Sequence, residues 1–145
     1  MRAPASLLFV CGENALRSPM AEAMVKRFHG NRVYVDSVGV RAGPLDPLAV
    51  DVMKEIDIDI SAHRAKRLAE LDDTSFDLIV TLSPEAHHHA LDWSRTHAAE
   101  VVYWPVYDPS AVEAGREARL AAYRDVRDML RTLIDETLRD DAETA

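Results

Sequence analysis

Ser6 to Val10 form a short, continuous stretch with the apolar run Leu7 to Val10, the pattern of a strand buried on both faces. A helical spacing follows from Pro19 through Phe28 and stops at Gly30 and Asn31. Val33 and Val35 then alternate with other residues into Asp36 and Ser37, which predicts a second strand. Gly43, Pro44 and Pro47 mark a loop, after which Leu48 to Ile56 reads as a second helix, with Val52 and Ile56 four apart on one face. Ser61 is placed to cap a short helical segment reaching about Leu71, and Phe76 through Leu82 reads as a third buried strand. Ser83 and Pro84 supply an N-cap and a first helical position, repeating the Ser18 and Pro19 pair. Val101 to Tyr103 is a fourth strand. From about Val112 the positions Leu120, Tyr123, Val126, Leu130, Leu133, Ile134 and Leu138 recur at three or four, which predicts a long amphipathic helix.

Strands alternating with helices imply an α/β fold, a parallel sheet covered on both faces with a ligand site beyond the carboxyl ends of its strands. Cys11 falls at such an end. The 145 residues suit one domain over 1–139, with 140–145 expected to be a frayed acidic tail. A hydrophobic share of 48% is enough for a core, and a formal charge of −8 argues against the basic footprint that nucleic-acid binding needs. No early apolar run is long enough to span a bilayer, so the expectation is a cytoplasmic protein with neither nucleic-acid nor membrane partners. With Cys11 the only cysteine, no internal disulfide and no cysteine-built zinc site can form within one chain.

The segment Cys11-Gly12-Glu13-Asn14-Ala15-Leu16-Arg17-Ser18-Pro19 separates a cysteine from an arginine by five residues, between a strand and the start of a helix. Successive N–H groups of Gly12, Glu13, Asn14, Ala15 and Leu16, with the positive end of the helix dipole, can converge there on a tetrahedral anion. The same field favours a thiolate, the attacking form of Cys11. Arg17 in a first helical turn is mismatched with the dipole unless an anion lies between them, and its fork matches two oxygens of phosphate or arsenate. Ser18 is placed to donate to the sulfur.

These residues resemble the low-molecular-weight protein-tyrosine phosphatase and arsenate reductase family. The resemblance extends over nearly the whole chain through Asp46-Pro47-Leu48-Ala49, Asp59 to Ala65, Phe76 to Thr81 and Asp108-Pro109. It implies a four-stranded parallel sheet in the order 2-1-3-4, flanked by helices. Carried over residue by residue, it implies Cys11 as nucleophile, Arg17 as oxyanion clamp, Asn14 as a loop-shaping residue, Ser18 as thiolate partner, Asp108 as general acid and His63 as a supporting residue.

Expelling an alkoxide or phenoxide requires a proton donor. Asp108 lies after the fourth strand, where a carboxyl group can overhang the edge that carries Cys11; the alternative is that Asp108-Pro109 only forms a turn. Asp46, before Pro47, is the less favoured substitute. His63 either orients the loop or is a satisfied structural histidine. His87, His88 and His89 point about 100° apart on a helix and do not converge on one ion, so no metal and no cofactor is expected. Trp93 and Trp104 read as core or pocket wall.

Three positions depart from the family pattern. Glu13 stands where the family has glycine, and its side chain is expected to point outward. Leu16 replaces a second cysteine, and Ser110 replaces an aromatic wall residue that Tyr107 or Trp104 would have to supply. The expected activity is metal-independent hydrolysis of phosphotyrosine protein or a small phosphomonoester through a phosphocysteine. Arsenate reduction with an external low-molecular-weight thiol and a redoxin is one alternative, and a catalytically weak oxyanion or phosphoprotein-binding module is another.

Overall fold

The computed structural model describes residues 3–72 and 75–139; the expected acidic tail, 140–145, lies outside the described residues. Strands β1 (Ser6–Cys11), β2 (Tyr34–Gly39), β3 (Leu78–Thr81) and β4 (Glu100–Tyr103) alternate with helices α1 (Arg17–His29), α2 (Pro47–Lys54), α3 (Pro84–Ser94) and α4 (Arg116–Thr137). All strand pairs are parallel and the sheet order is β2-β1-β3-β4, as expected.

The central strand β1 shows why the sheet needs helices on both faces. All six of its residues are buried, and successive side chains point to opposite sides. Leu7, Phe9 and Cys11 join a cluster with Met20 and Met24 of α1, Val52 of α2 and Tyr123, Val126 and Leu130 of α4. Leu8 and Val10 join the opposite cluster, with Ala86 and Ala90 of α3 and Phe76. A fully buried Leu or Phe contributes about 2 kcal/mol by removal from water, so the same residues that fix the layers also hold Cys11 at the end of a rigid strand.

Two helix expectations fail. The stretch from Ser61 to about Leu71 is not a helix; only Leu68–Glu70 forms a 3₁₀ turn. Its backbone groups are engaged elsewhere. Asp59 Oδ1 accepts from Ser61 N, so Ser61 is itself capped rather than capping. Lys66 N donates to Asn14 Oδ1 and Lys66 O accepts from Gly39 N, which draws the chain across the ends of β1 and β2. The last helix begins at Arg116 rather than near Val112, because Pro109–Ala111 form a 3₁₀ turn and Gly115 stands at the N-cap.

Ser83 caps α3 as expected, accepting from Ala86 N. Ser18 does not play that part, since α1 starts one residue before it with no side-chain cap. Among the described residues no helix is long and apolar enough to cross a membrane.

Candidate active site

The carboxyl ends of β1 and β3 and the loop after β4 surround a cavity of about 960 Å³ whose lining includes Cys11, Gly12, Glu13, Ala15, Leu16, Arg17 and Asp108. The loop between β1 and α1 is wrapped around one residue. Asn14 has φ 55°, the left-handed conformation that asparagine tolerates better than most side chains. Its N–H points back to Cys11 Sγ at 3.3 Å.

The Asn14 side chain organises the polar groups behind the loop. Nδ2 donates to Ser18 Oγ at 2.8 Å and to Ser37 Oγ at 2.9 Å. Ser18 Oγ therefore has its own hydrogen available for Cys11 Sγ, 2.8 Å away. Ser37 Oγ passes its hydrogen to Glu22 Oε1, and Glu22 Oε2 accepts from Lys26 Nζ at 2.6 Å. On the other side, Asn14 Oδ1 accepts from Lys66 N at 2.9 Å. His63 Nε2 faces both Asn14 Oδ1 and Asn14 O, at 3.1 and 3.2 Å. Both are acceptors, so Nε2 carries the proton. His63 thus braces the loop from behind and does not line the cavity.

Asn14 and Ser18 are fully buried and every polar atom in this chain of bonds has a partner, which makes the loop a preformed object rather than a mobile one. The N–H groups of Glu13, Ala15 and Leu16 have no hydrogen-bond partner among the described residues. Donors left this way at a helix N-terminus suit an anion.

Arg17 is fixed from the far side. Its Nη1 donates to Leu82 O at 2.6 Å and to Val106 O at 2.8 Å, tying the start of α1 to the ends of two other strand segments. Nε and Nη2 make no hydrogen bond among the described residues, and they are the edge of the guanidinium that remains for an oxyanion.

Asp108 lines the same cavity and also forms the expected turn. Its Oδ1 accepts from Ser110 N at 2.9 Å and from Ser110 Oγ at 2.6 Å, capping Pro109–Ala111. The turn holds the carboxyl group in place, and Oδ2 stays uncommitted. Asp46 lines the cavity as well, but both of its oxygens are engaged. One of its oxygens caps α2 at Leu48 N and the other accepts from Tyr123 Oη at 2.6 Å. Burial, followed by that bond, pushes the Tyr123 hydroxyl above its ordinary range, so it stays protonated as the donor.

One expectation is corrected. Neither Tyr107 nor Trp104 supplies an aromatic wall. Tyr107 Oη is held by Asp125 and Ala122 O on α4, while Trp104 packs against Phe9 in the core. Trp93 stacks on His97, 3.7 Å between centroids, away from the cavity. Of the histidine run, His87 Nδ1 pairs with Thr81 Oγ1, and among the described residues no group of three or more His, Cys, Asp or Glu is placed to hold a metal ion.

Sequence reasoning missed several supporting residues. Ser37 is a fully buried hydroxyl in β2, but it follows Asp36, so nothing in the local sequence marks it. Arg41 and Glu85, which also line the cavity, pair across its mouth through two bonds of 2.8 and 3.0 Å. The bonds to Arg41 lower the Glu85 carboxyl and raise the guanidinium. Nothing in either local sequence announces the pair.

Comparison with known proteins gives a consistent affiliation. The family model for low molecular weight phosphotyrosine protein phosphatase matches residues 6–141. The chain is 36% identical over 124 residues to an arsenate reductase of Halalkalibacterium halodurans, covering 84% of this chain and 86% of that protein. A low molecular weight protein tyrosine phosphatase from T. tengcongensis superimposes with a TM-score of 0.74 at 30% identity, over 90% of this chain and 95% of that one. The YwlE arginine phosphatase from Geobacillus stearothermophilus gives 0.75 at 26% identity, over 91% and 89%. With its strand order, cysteine loop and family match in agreement, the chain belongs to the low molecular weight phosphotyrosine protein phosphatase family.

Proposed function

We propose that the chain hydrolyses phosphomonoesters through a phosphocysteine. Cys11 Sγ attacks phosphorus as the thiolate while the ester P–O bond breaks, and Asp108 gives its proton to the departing oxygen. Arg17 and the loop N–H groups hold the equatorial oxygens as charge redistributes. The Asp108 carboxylate then takes a proton from water, whose oxygen attacks phosphorus, breaks the S–P bond and releases phosphate with the thiolate restored. Ser18 donates to the sulfur whenever it carries charge.

The observation that carries this reading is the Asp108 carboxyl group, with one oxygen uncommitted, on the same cavity as Cys11. A proton donor serves ester cleavage, and the absence of a second cysteine in the sequence removes any internal thiol relay.

A second reading is favoured by the relatives named arsenate reductase. There Cys11 would form an S–As bond with arsenate as one As–O bond breaks and that oxygen leaves, protonated, as water. An external thiol would attack Cys11 sulfur, the S–As electron pair would leave with arsenic as arsenite, and the mixed disulfide would be reduced by a redoxin.

The deciding experiment measures phosphate release from aryl and alkyl phosphates, and arsenite formation under several thiol donors, with Cys11→Ser as the blank. Thiol-independent phosphate release with a phosphate label trapped on Cys11 is the expected result. Arsenite formation that requires a thiol, without ester hydrolysis, would put the second reading first. Binding of phosphate with neither reaction would leave an oxyanion-binding module.

A further inference from the structure

Among the described residues, none that lines the cavity is Phe, Tyr or Trp. An aryl group entering it gains no ring stacking. Charge takes the place of aromatic surface. Apart from Arg17, the wall carries Arg41 and Arg119 against four carboxylates, Glu13, Asp46, Glu85 and Asp108. Outside the oxyanion nest it is therefore net negative, by two with Asp108 ionised and by one with Asp108 protonated as the acid.

Three of those carboxylates are already engaged. Glu85 holds Arg41 in a two-bond pair, Asp46 serves Leu48 N and Tyr123 Oη, and Asp108 serves Ser110. The exposed Glu13 carboxylate has no hydrogen bond or ion pair among the described residues. Its position is nevertheless built. Gly43 N donates to Glu13 O at 2.9 Å, and a Cβ added at Gly43 would lie 2.7 Å from Glu13 Oε2 and 3.0 Å from Glu13 Cβ. A side chain at Gly43 would displace the Glu13 carboxylate from the place it takes here. Arg41 feels its charge but is bound by Glu85, and Arg119 interacts with the Tyr123 hydroxyl.

An unpaired carboxylate two residues after the nucleophile opposes a bare dianion in the nest. The opposition is relieved when the guest brings its own positive charge to the mouth. Building on the phosphatase reading, we propose that Glu13 is a specificity-determining residue that selects phosphomonoesters whose leaving group bears an ammonium or guanidinium group. The phosphoryl group occupies the loop, and the cation of the leaving group lies against Glu13.

The test compares O-phosphoethanolamine with propyl phosphate, near-isosteric esters that differ in one positive charge. In wild type the ratio of kcat/KM values should favour the cationic ester about three- to tenfold at moderate salt. Glu13→Gln keeps the shape and should bring the ratio close to one; Glu13→Lys should invert it. The same ratio is read as dissociation constants in the Cys11→Ser protein with and without Glu13→Gln, so it is measurable without turnover. Lost turnover with a Glu13-dependent binding ratio would overturn the phosphatase reading and leave this selection standing. A ratio unmoved by both Glu13 substitutions, in proteins whose melting temperatures match wild type, would overturn the selection whatever the turnover.

Discussion

Ser18 Oγ lies 2.8 Å from Cys11 Sγ while accepting a hydrogen bond from Asn14 Nδ2, so its one hydrogen is directed at the sulfur. Ser18→Ala removes that donor and leaves Asn14 one acceptor short. A hydrogen bond to a charged group is worth about 2 kcal/mol. Alkylation of Cys11 by iodoacetate at neutral pH should slow about tenfold or more, and kcat for ester hydrolysis should fall by a similar factor. Unchanged alkylation in a folded variant would remove Ser18 from the activation of the sulfur.

Asp108→Asn separates the turn from the proton. The amide oxygen still accepts from Ser110 N and Oγ, which preserves the cap, whereas the group no longer titrates as an acid. Hydrolysis of alkyl phosphates should drop by about 10²-fold to 10³-fold. For p-nitrophenyl phosphate, whose leaving group needs less protonation, the loss should be markedly smaller. The measurement is the slope of log kcat/KM against leaving-group basicity, steeper in the variant; equal slopes would show that Asp108 donates no proton.

Gly39→Ala probes how closely the backbone packs beneath the loop. An added Cβ would stand 2.3 Å from Arg41 O and 2.6 Å from Asn14 N, both main-chain atoms that cannot swing aside. The strand end must move, and with it the left-handed Asn14. Overpacking of this kind costs about 1–3 kcal/mol. Phosphate affinity, measured by calorimetry, should fall at least tenfold in a protein that still melts cooperatively. Retained affinity would mean that the loop geometry is not set by this contact.

The layers were legible because burial dictates pattern directly. The apolar run of β1 leaves both its faces needing cover, and the three- and four-residue spacing from Leu120 to Leu138 supplies one cover. The meeting of Cys11 and Arg17 on one cavity was legible because it depends on a short local segment. What failed were places where one local signal serves two ends. Ser18-Pro19 and Ser83-Pro84 look alike, yet only Ser83 bonds its own helix, because a buried sulfur competes for Ser18. Ser61 to Leu71 has acceptable helical residues, but Asn14 and Gly39 claim the Lys66 backbone. Arg41 and Glu85 are 44 positions apart, so their pairing emerges only once β2 and α3 are folded against the same sheet edge.

The tie between α2 and α4 makes a prediction about acid stability. Glu55, just after α2, receives Arg124 Nε and Nη2 and Arg127 Nη1, while Arg127 Nη1 also donates to Val52 O. The hydrogen bond from Arg124, then that from Arg127, hold the Glu55 carboxyl at about 2, against the opposing push of burial. A carboxyl depressed in the folded state stabilises fully above its unfolded value near 4.5, and that contribution is lost as pH falls toward 2. Because the Glu55 side chain is 38% exposed, solvent screening reduces the contribution to about 0.5–1 kcal/mol. Glu55→Gln should therefore unfold at lower urea than wild type at pH 6, with the two curves converging between pH 4.5 and 2. One molar salt should narrow the gap at pH 6. A gap that persists unchanged to pH 2 would assign the tie to hydrogen-bond geometry and packing, with no share from the carboxylate charge.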